Sequence, residues 1–303
     1  MTPSLVAMLL GSTALAGTGP WTLPAGARNI YVGTTQTRFS EITGDAGTAD
    51  FGAVQATTLQ AVGTIGLMDG MEVELTVPWT RVNHLDPAAG PCESDSLPSD
   101  FCSSSASLAP LQFTVKGRLL DEGALQPVSL SVAALLRVGN TTAQYRDRIT
   151  STGDGQTDLG LSASLGRTGG VGSSGWYRLS VGAAYLYRTP LADTGGQKVP
   201  ADQVEFTVGG LVAPIARVGI GPLVTGFHRL GGLELSELEA GDPNGFPALA
   251  ASQAKVGGEL AIRGENEITL SVSALTTVWA RNNPADTRVL SVGLGWYQAG
   301  SGG

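Results

Sequence analysis

Apolar side chains alternate with small or polar ones along most of this chain, in segments bounded by Gly, Pro, Asn or Asp. Segments 128–132, 159–165 and 268–273 are clear examples. Because successive side chains of a strand point to opposite sides, each such strand presents one apolar face and one polar face. The pattern predicts twelve strands, at 28–39, 56–67, 71–82, 111–120, 127–138, 157–167, 176–188, 203–213, 217–229, 253–263, 267–281 and 287–297.

The connections between these strands alternate in length. Five are short turns, at 68–70, 121–126, 168–175, 214–216 and 264–266, and the other six are mostly longer, at 40–55, 83–110, 139–156, 189–202, 230–252 and 282–286. Outer-membrane barrels combine an even strand count with short periplasmic turns, long external loops and periplasmic termini. The sequence therefore predicts an all-β protein, a transmembrane antiparallel up-and-down β-barrel of about 12 strands.

The first sixteen residues resemble an export signal, since a short apolar core ends in Ala14-Leu15-Ala16, a small-x-small cleavage pattern. No Lys or Arg precedes that core, and a buried N-terminal helix is the alternative interpretation. We predict a signal peptide at 1–16, a periplasmic lead-in at 17–27, and a barrel with a short C-terminal tail at 28–303. This organisation places the chain in the bacterial outer membrane as an integral protein.

Composition supports the barrel and narrows the possible partners. The chain is 42% hydrophobic, carries only 15% charged residues and contains 43 glycines, which fits an outer wall that faces lipid. Its net charge of −8 argues against nucleic-acid binding, which requires a basic surface. Cys92 and Cys102 lie in one polar loop of an exported chain, and we predict that they form a local disulfide. No residue pattern points to a metal site or a cofactor.

Strand parity assigns the two faces of the wall. One parity is apolar and is predicted to face lipid, as in Val73, Leu75, Val77, Trp79, Leu130, Val132, Ala134, Leu136, Leu179, Val181, Ala183, Tyr185, Leu290, Val292, Leu294 and Trp296. The other parity carries nearly every charged residue of the strands, and these are the candidate lumen-lining residues: Glu72, Glu74, Lys116, Arg118, Arg137, Asp158, Arg178, Glu205, Lys255, Glu259 and Arg263. They either form ion pairs that fill a narrow lumen, with Glu74 opposite Arg118, or line a water-filled path and set its selectivity.

Residues near the predicted strand ends indicate how the barrel meets the membrane. Aromatic residues collect there, as membrane-interface girdles require: Trp79, Tyr185, Tyr187, Phe206, Phe227, Trp279 and Trp296. Strict alternation turns Trp279 inward, so a bulge or a lumen role is predicted for it. Basic residues gather where strands meet external loops, and they either bind phosphorylated outer-membrane lipid, including lipopolysaccharide, or are ordinary solvated loop cations: Arg38, Arg81, Arg146, Arg148, Arg188, Arg229, Arg281 and Arg288.

Lipid hydrolysis by an outer-membrane barrel would need a Ser nucleophile, a His base and an orienting polar group on the lipid-facing rim. His228 lies near the outer end of its strand, and Ser252 is the nearest conceivable nucleophile on the next strand. The His-x-Ser spacing of the outer-membrane phospholipases is absent, because position 230 is Leu. We therefore predict no catalytic site.

Three short motifs resemble a known family. The segment 21–26 (Trp-Thr-Leu-Pro-Ala-Gly) before the first strand, Val77-Pro78-Trp79, and Thr157-Asp158-Leu159-Gly160-Leu161 are similar to those of outer-membrane barrels classed as transporters of the phenol-degradation meta-cleavage pathway type. The resemblance implies a barrel of twelve or a similar number of strands that passes small organic molecules. Barrels of this kind usually end on an aromatic residue read by the barrel-assembly machinery, whereas here a non-aromatic tail follows Tyr297.

Together these patterns predict a narrow channel for passive passage of small solutes, possible because inward Gly and Ser of the sixth and twelfth strands leave space beside the charges. These small residues are Gly160, Ser162, Ser164, Gly166, Ser291, Gly293 and Gly295. The competing hypothesis is a structural or surface-interaction barrel with a plugged lumen, whose external loops bind partners.

Overall fold

The computed structural model describes residues 19–86, 103–122, 126–139, 157–172, 175–189, 201–215, 217–237, 249–264 and 267–300. Twelve long strands account for most of them: β1 (Arg28–Gly44), β2 (Gly47–Met68), β3 (Met71–His84), β5 (Leu111–Leu120), β6 (Ser129–Val138), β7 (Asp158–Val171), β8 (Gly175–Arg188), β9 (Gln203–Ile215), β10 (Val218–Arg229), β11 (Ser252–Arg263), β12 (Ile268–Arg281) and β14 (Arg288–Gln298). Two short strands, β4 (Ser105–Leu108) and β13 (Asn283–Pro284), complete the sheet.

The long strands close into an antiparallel barrel. Each pairs with its neighbour along the chain, and β1 pairs with both β2 and β14, so no long strand is left with a free edge. The short strands add to the rim, where β4 pairs with β3 and β13 pairs with β1. This pairing confirms the predicted twelve-stranded barrel. Closure is favourable because it pairs the backbone N–H and C=O groups that an open sheet edge would leave without partners.

The barrel is apolar outside and polar inside, as parity predicted. Large outward side chains such as Leu161, Leu294 and Leu179 are 68%, 56% and 51% exposed. Inside, buried hydroxyls hydrogen-bond across strands, as in Thr58–Thr80 at 2.8 Å between the two oxygens. A small apolar cluster of Leu223, Leu275 and Val289 also packs inside. No helix within the described ranges is long and apolar enough to span a membrane.

The first hairpin is longer than predicted. Pairing of β1 with β2 continues through Ile42↔Ala49 to Gly44↔Gly47, where the sequence had indicated a loop at 40–55. Ile42 is only 2% exposed, and burial of its apolar side chain stabilises the strand pairing past the residues that alternate regularly. The two-residue turn is followed by Gly47, whose φ of 120° favours glycine. Likewise, β4 lies within the predicted loop at 83–110 and extends the wall beside β3.

A β-bulge explains Trp279. Ala254 lies opposite Trp279, whereas the next residue, Lys255, lies opposite Thr277, so β12 carries one extra residue. The extra residue reverses the parity of the strand end, and Trp279 is 52% exposed on the outside. Among the other aromatic residues, the prediction that Phe227 belongs to the membrane-interface girdle is wrong, because its side chain faces inward and is buried.

Candidate functional site

The interior of the barrel is the candidate site, because the alternation of the strands turns the charged residues there. Of the predicted lumen set, Glu72, Glu74, Lys116, Lys255 and Glu259 are buried. Arg118, Arg137, Asp158, Arg178 and Glu205 are half-buried, and Arg263 is exposed near the end of β11. Such burial shields these side chains from bulk water, so their partners within the barrel decide what the interior can do.

One cluster lies at the end of the barrel that carries the short turns, which we term the inner end. Lys116 Nζ pairs with Glu72 Oε1 at 2.6 Å, and both side chains are about 5–6% exposed. Lys116 also donates to the Gly19 carbonyl at 3.2 Å, and Glu72 Oε2 accepts a hydrogen bond from the Leu23 amide at 2.7 Å. The ion pair thus anchors the segment before β1 across the inner end.

The same segment, 19–24, reaches the opposite wall. The guanidinium of Arg178 on β8 lies 4.1 Å from the ring centre of Trp21, a cation–π contact. Gly166 on β7 provides the space beneath it, since a Cβ there would lie 2.7 Å from the Trp21 ring and 2.8 Å from Pro20. Residues 19–24 therefore extend across the inner end of the barrel, from β3 and β5 on one side to β7 and β8 on the other, and make its opening narrower.

The expected approach of Glu74 to Arg118 does not occur. Glu74 lies opposite Thr114, and its carboxylate accepts a hydrogen bond from the Thr64 hydroxyl at 3.3 Å. Arg118 instead contacts Asp121 at 3.1 Å near the turn after β5. The register explains this arrangement, because it places Glu72, rather than Glu74, opposite the cationic Lys116.

A second cluster bridges β5, β6 and β9. Arg137 donates two parallel hydrogen bonds to Glu205, at 2.7 and 2.9 Å, and its Nε donates to Gln112 at 2.8 Å. Gln203 also donates to Glu205 at 2.8 Å. Because β7 and β8 separate β6 from β9 in the wall, this bidentate pair crosses part of the interior rather than linking adjacent strands.

One further ion pair and other charged groups belong to the described interior. Arg188 Nε lies 3.5 Å from Asp158 Oδ1 on the neighbouring strand. Arg178 and Glu259 line one cavity in the inner half of the barrel, and Lys255 is only 1% exposed. Most of the interior charges therefore face an opposite charge.

A cavity of about 470 Å³ remains beside the inner cluster. Charged side chains and aromatic rings share its wall, which includes Tyr31, Trp176, Tyr177, Arg178, Arg217, Glu259, Arg263, Glu267 and Tyr297. A smaller space of about 140 Å³ lies between Glu74, Lys116 and the Arg137–Glu205 pair. These two spaces could admit a small solute or water.

Sequence reasoning missed several residues that shape this interior. Arg188 had been placed at the rim with the loop cations, yet it shares the parity of Arg178 and pairs with Asp158. Gln112 and Gln203 support the Arg137–Glu205 pair and also lie at inward positions. Parity would have found all three if uncharged polar residues and strand ends had been included. Trp21 carried no such signal, since it precedes the first strand.

The remaining sequence predictions have different outcomes. Cys92 and Cys102 lie outside the described residues, as does the segment 1–16. Over the described ranges, no group of three His, Cys, Asp or Glu side chains is arranged to hold a metal ion. His228 Nδ1 and Ser252 Oγ do lie 2.7 Å apart on β10 and β11. Ser252 is only 1% exposed, however, so its hydroxyl is closed to a lipid ester and the contact links two strands.

Polar contacts at the opposite end of the barrel, the outer end, tie its connections together. Ser236 donates to Asp45 in the first hairpin turn, and Glu234 pairs with Arg281. Asp286 accepts hydrogen bonds from the Ser40 hydroxyl at 2.6 Å and from the Ser40 and Glu41 amides at 2.9 and 3.0 Å. Burial alone would raise the pKa of Asp286, but these hydrogen bonds outweigh it and lower the pKa.

Comparisons with known proteins place the fold among outer-membrane barrels. No protein-family model matches the sequence, and no curated protein matches it significantly. Among solved structures, an outer-membrane channel from Pseudomonas putida F1 is similar with a TM-score of 0.69 at 11% identity, covering 93% of this chain and 98% of that one. The NanC porin is similar with a TM-score of 0.52 at 7% identity, covering 88% and 98%. At these identities the likeness establishes a shared barrel fold.

Proposed function

We propose that the protein is an integral barrel of the bacterial outer membrane, exported through the signal peptide at 1–16, that passes small solutes passively through its interior. The observation that carries the proposal is a closed barrel whose outside is apolar and whose inside is polar and charged, with about 470 Å³ of space beside the inner cluster. The two structural neighbours, an outer-membrane channel and a porin, support this assignment.

In this proposal the lumen-lining residues set the path. The paired charges hold water and hydrogen-bond to polar parts of a solute, while the aromatic rings around the cavity accommodate its apolar parts. The inner segment at 19–24 and the Arg137–Glu205 pair are the two constrictions. The narrow openings at these two constrictions limit passage to small solutes, which include small organic molecules.

The experiment is reconstitution of the purified protein in planar bilayers, together with solute flux into liposomes. We expect small single-channel conductance and a selectivity that shifts toward anions in Glu259→Gln, which removes a buried acid from the cavity wall and leaves Arg178. Glu41→Gln is the matched control, because Glu41 is exposed on the outer hairpin and the same charge is removed. Absence of both conductance and flux would reject the proposal.

A plugged barrel with binding loops is the second candidate function. It is favoured by the segment 19–24, which lies across the inner end and is held by Glu72, Lys116 and Arg178. The same bilayer experiment separates the two functions. If neither the intact protein nor a variant lacking residues 19–24 conducts, the plugged barrel is the better description.

A further inference from the structure

We propose that the outer end of the lipid-facing wall carries a binding site for a phosphorylated lipid, formed by Arg38, Arg81 and Arg288. The three arginines lie on β1, β3 and β14, which are close neighbours around the barrel. The inference rests on the proposed function in one respect: the outer-membrane orientation, in which long connections are external, makes these residues neighbours of the outer leaflet.

The arrangement of the arginines is electrostatically unfavourable without a ligand. Arg38 and Arg288 lie directly opposite each other on adjacent strands, and both side chains are exposed. Like charges at directly opposite positions of an antiparallel pair destabilise a sheet. In the part of the chain that the structure describes, no carboxylate forms an ion pair with Arg38, Arg81 or Arg288.

Neighbouring amides orient two of these side chains. Arg38 Nε donates to Gln55 Oε1 at 2.8 Å, and Arg81 Nε donates to Asn83 Oδ1 at 3.1 Å. Gln55 on β2 lies opposite both Arg38 and Asn83, so the amides connect the cations in one outward row. Because these bonds use Nε, the terminal nitrogens of both guanidinium groups remain for an anion. Planar guanidinium groups bind phosphate oxygens in a bidentate manner.

An outward groove of about 440 Å³ adjoins the arginine pair. Arg38, Arg288, Gln36 and Thr276 form its polar part, and Val256, Ala274 and Leu290 form its apolar part. Ala274 lies opposite Gly258 on β11 and Leu290 on β14, and its small side chain leaves the groove open across these strands. A phosphate on the arginines would place an attached acyl chain along this apolar part, so the groove fits a phosphorylated lipid rather than free phosphate.

The test measures lipid binding to the purified full-length protein in detergent by native mass spectrometry. The ligands are diphosphoryl lipid A, the same lipid without phosphates, and inorganic phosphate. We expect the diphosphoryl lipid to bind and the double variant Arg38→Gln/Arg288→Gln to weaken its affinity by about ten-fold or more, since charge-assisted hydrogen bonds are lost. Arg167→Gln is the control, because Arg167 is an exposed outward arginine near the opposite end of β7.

The other possible results each overturn a stated part of the proposal. Equal lipid affinity in the double variant and the intact protein overturns the proposal, as does equally tight, arginine-dependent binding of inorganic phosphate, which would indicate a free-anion site. Ala274→Phe keeps the arginines and fills the groove; we expect it to weaken lipid binding, and unchanged binding would overturn the acyl-chain part. A protein that binds lipid but does not conduct overturns the proposed channel alone, whereas one that conducts but binds no lipid overturns this site alone.

Discussion

The Arg137–Glu205 pair offers a quantitative test of how the interior is held together. We consider Arg137→Gln, Glu205→Gln and the double variant. Each single change removes one ion and leaves its partner facing neutral amides, whereas the double change removes both charges. The two hydrogen bonds of 2.7 and 2.9 Å that join the side chains should therefore appear as a coupling between the two substitutions.

The expected coupling follows from the geometry. A hydrogen bond to a charged group contributes about 1.5–3 kcal/mol to stability, and two parallel bonds set an upper range near twice that. The side chains are 18% and 25% exposed, so solvent screens part of the attraction. We expect a coupling of about 2 kcal/mol, together with a larger single-channel conductance in the double variant, since the pair crosses part of the interior.

The assay is equilibrium urea unfolding of the barrel in lipid vesicles, arranged as a double-mutant cycle. The control cycle combines Arg118→Gln with Asp121→Asn, a pair joined by one hydrogen bond of 3.1 Å in which Asp121 is 61% exposed, and this pair should couple by only about 0–1 kcal/mol. Equal coupling energies in the two cycles would refute our account of Arg137 and Glu205 as a bidentate, half-buried pair that crosses the interior. Unchanged conductance in the double variant would refute their role as a constriction.

Three further predictions concern the inner segment, the wall and the outer end. Removing residues 19–24 should raise single-channel conductance, because Trp21 and its contacts no longer cross the inner end; unchanged current would show that they do not limit it. Leu161→Arg on the lipid-facing wall should destabilise the barrel by about 2–4 kcal/mol in vesicles, whereas inward Ser162→Arg should cost less; equal losses would contradict the assigned faces. Because the folded pKa of Asp286 is lowered, its stabilising bonds should persist above its ordinary pKa near 4 and be lost as the pH falls through the folded value, with lower hydrogen-exchange protection factors at 282–287, taken relative to the intrinsic exchange rate at each pH. Asp286→Asn should show that lower protection already at neutral pH, and protection factors that do not change with pH in the intact protein would contradict the assignment.

The architecture was largely predictable because the membrane imposes one rule on every strand. Positions such as Leu161 and Leu294 contact lipid, and their inward neighbours contact water or polar groups, so a period of two is repeated twelve times. The rule weakens where the wall leaves the membrane. The extension of the first hairpin at 40–55 and the bulge at Trp279 both lie at strand ends, where burial of Ile42 and one extra residue replaced simple alternation.

The interior was predictable in composition but not in pairing. Parity selected the charged residues, yet the partner of each depends on register and on contacts across the barrel. Register places Glu72 opposite Lys116 and Glu74 opposite Thr114, so the predicted pairing of Glu74 with Arg118 does not form. The curvature of the wall brings Arg137 on β6 to Glu205 on β9, with two strands between them. The contact of Trp21 with Arg178 was beyond sequence reasoning, because the path of a segment without regular structure depends on the cavity it enters.

Pairing of the interior charges has a consequence for selectivity. Glu72 with Lys116, Arg137 with Glu205 and Asp158 with Arg188 each place opposite charges within 3.5 Å, so their fields largely cancel at the distance of an ion in the proposed channel. A channel built this way discriminates by size and hydrogen bonding more than by the sign of charge. Loss of a single acid outside these pairs should therefore have a larger effect. Glu259 shares its cavity wall with Arg178, Arg217 and Arg263, so removing its charge makes that wall more cationic.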